Sequence, residues 1–239
     1  MKKKYYIYVL LLLLLLLFLG YFIYNIHNKK KISNTNEVID INDGEKEYQN
    51  KAPTSDEKAI KNIDVKLEKS KSGQYVAFIT NNNSFVIPDL NLKINYYKNG
   101  KLVDTYSDGH DAILPGYTVV SDFESYEDYD DVQYDVSVDM DYGTSYTNHS
   151  NNIKVDYNIN ASGDALITIT NNDDELVEEI EVIAIFYDET GNLLGTSYAK
   201  DIYNVASKKT ETIKLELKDY KRRNDVKTVK IYLNQAHTF

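Results

Sequence analysis

The longest apolar run of the chain lies near its start. Residues 5–24 read YYIYVLLLLLLLLFLGYFIY, with three lysines before the run and three more shortly after it. About 20 uncharged residues, rising 1.5 Å each, are long enough to cross the roughly 30 Å hydrocarbon core of a bilayer. Tyrosines at both ends are typical of the membrane–water interface. The pattern predicts one transmembrane helix, with residues 1–31 as its short tail and span.

A cleaved signal peptide is the alternative interpretation of this run. Signal peptides have an apolar region of about 7–15 residues and a small-residue cleavage site. This run is longer, and Asn25, Ile26, His27 and Asn28 follow it without such a site. The sequence therefore predicts an uncleaved anchor. Because the lysines are balanced across it, only the terminal amine favours an N-terminus inside, and we expect residues 32–239 outside the cell membrane.

The pattern changes twice after the anchor. Residues 32–60 show no sustained apolar period and contain Gly44 and Pro53, which predicts a flexible linker. From residue 61 onward, short segments alternate between apolar and polar positions, as in half-buried strands. One clear segment spans residues 90–96, and the Asn99-Gly100 pair after it is typical of a two-residue hairpin turn.

An internal repeat determines the predicted domain organisation. Residues 79–82 and 169–172 both read ITNN, an offset of 90. At the same offset lie the SG pairs at 72–73 and 162–163, and the YY and FY pairs at 96–97 and 186–187. Repeated identities in one register predict two copies, at residues 61–146 and 150–239. Six or seven short strands in each copy predict an all-β fold of two tandem antiparallel Ig-like β-sandwich domains.

One strand of the second copy differs from its counterpart. Ile180, Val182, Ala184 and Phe186 follow the expected alternation, but Ile183 and Ile185 between them are apolar as well. A strand that is apolar on both faces is typical of one covered on both sides. We therefore expect a second layer against this strand.

Each copy resembles the FxLYD-type domain, an extracytoplasmic β module of bacterial surface proteins. The resemblance rests on the ITNN segments, the alternating apolar residues after them, and FYD at residues 186–188 followed by Gly191 and Leu193. The first copy departs from the family with YYK at residues 96–98, and Ala184 stands where the leading Phe is expected. The resemblance implies a sandwich fold and a surface location, and it implies no catalytic residues.

The distribution of charge argues against one class of ligand and predicts an interaction surface. The net charge is −10, and residues 1–31 hold six lysines and no acid, so the other 208 residues carry −16. Such acidity disfavours nucleic-acid binding. Nine acids lie in residues 122–141 without a base. We predict that this run meets the basic loop of the second copy at the domain junction. The candidate interaction surface comprises Asp139, Asp141, Lys218, Lys221, Arg222 and Arg223; a solvated loop, or one that binds an anionic envelope polymer, is the alternative.

Catalytic and metal-binding patterns are weak. The chain has no cysteine, no G-x-S-x-G motif and only four histidines, so we predict no enzyme, no cofactor and no metal site. His110 lies in a polar segment and is expected at the surface. The acidic run lacks the ligand spacing of a calcium loop. Stacking on sugars or on a partner protein is a possible role for exposed tyrosines, with Tyr106, Tyr117, Tyr126 and Tyr129 as candidates.

These patterns predict a non-enzymatic protein of the cell membrane that presents two domains for binding protein or cell-envelope polymer. The alternative is an accessory subunit of a membrane complex, although the leucine face of the anchor lacks small-xxx-small spacing. An envelope hydrolase with a carboxylate pair in the acidic run is a third hypothesis. Richness in Lys, Asn, Ile and Tyr and the absence of Cys favour an exported protein of a Gram-positive bacterium.

Overall fold

The computed structural model describes residues 56–125, 127–143 and 147–238. Most of these residues are in β-strands, which confirms the all-β prediction. The helical elements in these ranges are one α-helix, α1 (Asp56–Ile60), and two short 3₁₀ segments, Ser150–Asn152 and Tyr220–Asp225. The predicted transmembrane helix lies outside the described residues. No helix within them has the length and apolar character needed to cross a bilayer.

The first half of the described chain contains two three-stranded antiparallel sheets, ordered β1-β2-β5 and β4-β3-β6. Helix α1 lies within the range predicted as linker, and its Ala59 is buried in the core of this half. The strands are β1 (Ile63–Lys69), β2 (Tyr75–Asn81), β3 (Ile87–Lys98), β4 (Lys101–Ile113), β5 (Thr118–Phe123) and β6 (Asp131–Asp139).

The second half also contains two antiparallel sheets, a three-stranded one ordered β13-β9-β8 and a larger one ordered β11-β10-β14-β7, with β12 also paired to β10. The strands are β7 (Thr147–Asn148), β8 (Ile153–Ile159), β9 (Ala165–Asn171), β10 (Val177–Tyr187), β11 (Leu193–Thr196), β12 (Lys200–Val205), β13 (Thr210–Leu215) and β14 (Thr228–Thr238).

Strand pairing repeats between the halves at the offset of the sequence repeat. Ile63 pairs with Asn81 across β1 and β2, and Ile153 pairs with Asn171 across β8 and β9. Both asparagines are fully buried, and each side-chain amide donates hydrogen bonds to two backbone carbonyls. Because buried carbonyls need partners, the repeated asparagine has a structural role.

Alternation along the central strands builds a separate apolar core in each half. Leu90, Leu92, Ile94 and Tyr96 on β3 are fully buried in the first core. Ile180, Val182, Ala184 and Phe186 on β10 are fully buried in the second. The hairpin between β3 and β4 turns at Asn99-Gly100 with φ values of 51° and 71°, as the sequence predicted.

A third apolar cluster joins the halves, and we call it the junction. It consists of Val76, Phe78 and Val120 from the sheet β1-β2-β5, and Ile183, Ile185 and Leu193 from the large sheet of the second half. Ile183 is 2% exposed and Ile185 is fully buried. The prediction that this strand is covered on both faces is therefore confirmed, and the covering layer is the first half of the same chain.

Candidate functional site

A side chain of the second half completes the edge of β5 at the junction. The Asn234 amide donates to the Val120 carbonyl at 3.0 Å, and its oxygen accepts from the Val120 N–H at 2.9 Å. The same amide donates to Glu181 Oε1 at 2.7 Å. Unpaired buried backbone groups cost free energy. Asn234 therefore supplies to Val120 the hydrogen-bond partners that a neighbouring strand would otherwise supply.

Acidic groups collect beside this contact. Burial raises the pKa of Glu181 above its ordinary value; the Asn234 hydrogen bond opposes the rise, and the nearby carboxylates of Asp201 and Asp108 add to it. These acids come from both halves, since Asp108 lies on β4 and Asp201 on β12. The Glu181 carboxyl therefore lies partly buried beside the Asn234 contact between the halves.

Two ion pairs cross between the halves at the rim of the junction. Lys71 pairs with Asp188, and Lys218 Nζ lies 2.5 Å from Asp122 Oδ2. Hydrogen bonds from Asn192, Lys71 and Thr190 hold the pKa of Asp188 far below its ordinary value. Opposite charges therefore meet where the halves touch, through Asp122 and Asp188.

The six predicted surface residues are distributed over both halves. Lys218 reaches the first half through Asp122. Arg222 pairs with Asp219 at 3.3 Å and Arg223 with Glu216 at 2.6 Å, both inside the second half. Lys221 lies over the ring of Tyr220, 5.9 Å from its centroid.

The two predicted acids lie on another sheet. The Asp141 N–H donates to Asp139 Oδ1 at 3.0 Å, and within the described ranges neither acid forms an ion pair with the four basic residues. The predicted ion pairs of Asp139 and Asp141 with the basic loop are therefore not among those of the described residues. The cause is sheet assignment: β6 pairs with β3, whereas the junction uses the sheet β1-β2-β5.

The expectation of a surface histidine at position 110 is wrong. His110 pairs with Leu90 across β4 and β3 and is only 7% exposed. Its Nε2 lies 2.7 Å from the Ser121 hydroxyl, and burial lowers its pKa while Asp108 and Asp111 oppose the change. Alternation gives no signal for this burial, because Asp108, two residues before His110 on the same strand, is exposed.

Acidic side chains lie side by side on neighbouring strands of the sheet β4-β3-β6 in the first half. Asp89 on β3 pairs with Asp111 on β4 and with Asp139 on β6. Burial raises the pKa of Asp89, and the two neighbouring carboxylates add to the rise. In the described ranges, no group of three or more His, Cys, Asp or Glu residues has an arrangement that could hold a metal ion.

The most exposed aromatic side chains of the described residues form a cluster next to the rim. We call Tyr198, Lys218, Tyr220 and Lys221 the tyrosine–lysine patch. Tyr198 is 74% exposed and Tyr220 is 69% exposed. The Lys218 N–H donates to the Thr196 carbonyl at 2.9 Å, which brings the segment after β11 beside the segment after β13. Lys218 Nζ lies 4.7 Å from the centroid of the Tyr198 ring.

Asp122 connects this patch to the first half. Besides Lys218, its Oδ2 accepts from the Thr196 hydroxyl at 3.0 Å and from the Gln74 amide. Lys218 is therefore held between the Tyr198 ring and a carboxylate of the other half. The patch keeps two aromatic faces open to solvent on a backbone that several hydrogen bonds hold in place.

The tyrosines that the sequence singled out have other environments. Tyr117 donates to Asn151 at 2.7 Å across the halves, and the Tyr129 ring lies 4.9 Å from that of Tyr96. Tyr106 is 37% exposed, and the side chain of Tyr126 lies outside the described residues. Tyr198 and Tyr220 were missed because both lie outside strands, Tyr198 in the segment after β11 and Tyr220 at the start of a 3₁₀ segment, where strand alternation does not predict exposure.

Comparison with known proteins adds little to this geometry. No protein-family model matches the chain, and a search of curated proteins finds no match. A calcium binding mutant of Bacteroides uniformis beta-glucuronidase 2 aligns with 18% identity and a TM-score of 0.16, over 61% of this chain and 22% of that one. Another Bacteroides uniformis beta-glucuronidase structure aligns with 15% identity and a TM-score of 0.17, over the same shares. The aligned part spans about a fifth of those enzymes, and TM-scores this low do not establish a shared fold.

Proposed function

We propose that this chain is a membrane-anchored surface protein of a bacterium and that it binds cell-envelope polymer. Its parts are the anchor at residues 1–31, the linker, and two Ig-like β-sandwich domains of the FxLYD type at residues 61–146 and 150–239. The observation that carries the proposal is the tyrosine–lysine patch, which leaves two aromatic rings exposed beside an apolar junction. Exposed rings with polar tips suit contact with sugars.

The junction supports this role through its rigidity. Six buried apolar side chains, two ion pairs and the Asn234 hydrogen bonds connect the halves. Burial of a Val, Leu, Ile or Phe side chain stabilises by about 1.5–3 kcal/mol each, whereas an exposed ion pair contributes only about 0–1 kcal/mol. The apolar contact therefore dominates, and a binding site placed on rigid elements loses less entropy when a ligand binds.

The anchor and linker would set where the two domains act. Because α1 belongs to the first half, the linker is shortened to residues 32–55, and a flexible chain of that length would have a root-mean-square reach of roughly 25–30 Å, so the domains would stay close to the membrane and within the inner envelope. The acidity of residues 32–239 would keep them away from an anionic lipid surface. A polymer that passes close to the membrane is therefore the expected ligand.

The topology is testable on protoplasts. Because residues 5–24 are long enough to span and lack a cleavage site, added protease is expected to digest residues 32–239 of the full-length protein and to leave Met1 attached to the anchor. Immunoblotting with tags at either end measures both fragments, and a cytoplasmic protein serves as the control for intact membranes. Protection of residues 32–239, or a mature N-terminus after residue 24, would refute surface display.

A further inference from the structure

We infer that the tyrosine–lysine patch binds a sugar polymer that carries anionic groups, with Tyr198 and Tyr220 contacting sugar rings and Lys221 contacting the anion. This inference rests on the proposed function and names the ligand class. Its basis is the combination, in one short stretch of surface, of two largely exposed tyrosine rings and one lysine without an ion pair in the described residues.

The two tyrosine rings of the patch stay largely exposed although a lysine ammonium lies over each of them. Tyr198 and Tyr220 are 74% and 69% exposed, whereas Tyr75, Tyr96 and Tyr129 pack against one another in the first core. Apolar faces left in water are unfavourable, and clustered ones mark sites of interaction. The flat C–H face of a sugar ring fits a tyrosine ring, and the phenol hydroxyl can donate to a sugar oxygen.

Lys221 is the basic residue of the patch that is not paired with an acid in the described residues. Lys218, Arg222 and Arg223 are each paired with an acid: Asp122, Asp219 and Glu216. Of the four basic residues at 218–223, Lys221 has no ion pair with any residue that the structure describes. A phosphate or a carboxylate on the polymer would supply that partner.

The acidity of the rest of the protein opposes binding of such a polymer elsewhere on the surface. The chain carries a net charge of −10, so an anionic polymer is repelled from most of its surface. Lys221, which lies over the Tyr220 ring and has no ion pair within the described residues, is therefore the group of the patch that can attract an anion. A neutral polymer would use the rings and leave Lys221 unpaired, whereas an anionic polymer satisfies all three groups.

Binding assays with defined polymers test the inference. The full-length protein in detergent is titrated with a soluble sugar-phosphate polymer, a soluble uronic-acid polymer and a neutral glucan, at low and at high salt. We expect the anionic polymers to bind up to about fivefold more tightly than the glucan at low salt, as one exposed ion pair allows, with the preference lost at high salt. Comparison of the phosphate and carboxylate polymers identifies which anion the site prefers. Equal affinity for the neutral glucan would overturn the anionic ligand class.

Matched variants assign the binding to the patch. Tyr198→Ala with Tyr220→Ala is expected to weaken binding at least about tenfold, and Lys221→Gln to remove the preference for anionic polymers. Tyr203→Ala, which removes a 60% exposed tyrosine on β12, and Lys101→Gln in the β3–β4 hairpin are the controls and should bind like the wild type. Because the patch is exposed, circular dichroism of every variant should match the wild type.

The outcomes separate this inference from the proposed function. Wild-type binding that the patch variants leave unchanged would overturn the inference while the function as an envelope-binding protein stands. Failure of the wild type to bind any envelope fraction, anionic or neutral, would overturn both. Specific binding to an envelope protein through Tyr198 and Tyr220, without polymer, would replace the sugar ligand with a protein.

Discussion

Replacement of Ile183 by Lys together with Ile185 by Asn is expected to separate the two halves of the chain while leaving each half folded. At the repeat offset of 90, these residues correspond to Lys93 and Asn95 on the outer face of β3. That face tolerates Lys and Asn because no second layer covers Lys93. At the junction the same side chains would be buried without partners, at a cost of about 3 kcal/mol or more.

Small-angle scattering measures the separation directly. The double variant is expected to show a longer maximum dimension and a two-body distance distribution, with the β-sheet signal in circular dichroism unchanged. The control is Thr168→Lys with Thr212→Asn, the same kind of change on the outer face of the sheet β13-β9-β8. These threonines correspond to Phe78 and Val120 in strand pairing but take no part in the junction. An unchanged distance distribution in the Ile183/Ile185 variant would contradict an apolar junction.

The second large effect is expected inside the core of the second half. Phe186 on β10 is fully buried, and Phe186→Ala should lower the free energy of unfolding by about 3–5 kcal/mol, through lost transfer energy and a cavity. Tyr203→Ala is the control, since an exposed side chain on the edge strand β12 should change stability by about 0.5 kcal/mol or less.

Denaturant unfolding followed by tyrosine fluorescence measures both variants. Because the two halves have separate cores, signals assigned to the first half should unfold close to their wild-type midpoint. A loss below about 1 kcal/mol for Phe186→Ala would contradict the assignment of Phe186 to the core.

The free outer faces of the two halves explain why the contact stops after two copies. A head-to-tail contact between repeated units can propagate into an array unless terminal faces are polar. The first half leaves Asn91, Lys93 and Asn95 on the face of β3 that corresponds to the junction face of β10. The second half leaves Thr168 and Thr212 on the opposite face. Polar residues at these positions restrict the apolar contact to the one pair of halves.

Local patterns were sufficient for the parts of this fold that depend on neighbouring residues. Alternation located β3 and β10, Asn99-Gly100 located a hairpin, and Ile183 with Ile185 indicated a covered strand. Each of these signals depends only on residues close to one another in the chain, so it can be recognised from a single sequence.

Contacts between distant strands were harder to predict. The sequence analysis predicted ion pairs of the basic loop with Asp139, whereas the observed pair joins Lys218 and Asp122. The sequence alone does not indicate which sheet of the first half contacts the second half. The expected surface position of His110 failed for a related reason. Its burial depends on pairing with Leu90 and on Ser121, two contacts that polarity along the chain does not reveal.

Crosslinking on intact cells tests the central claim most directly. A photoreactive phenylalanine analogue is placed at position 198 of the full-length protein, and at position 203 as the exposed control on β12. Irradiation should attach carbohydrate polymer to the protein at position 198 and little at position 203, read as a mobility shift that polymer-degrading enzymes remove. Capture of a discrete protein at position 198, or equal capture of polymer at both positions, would contradict envelope-polymer binding through the patch.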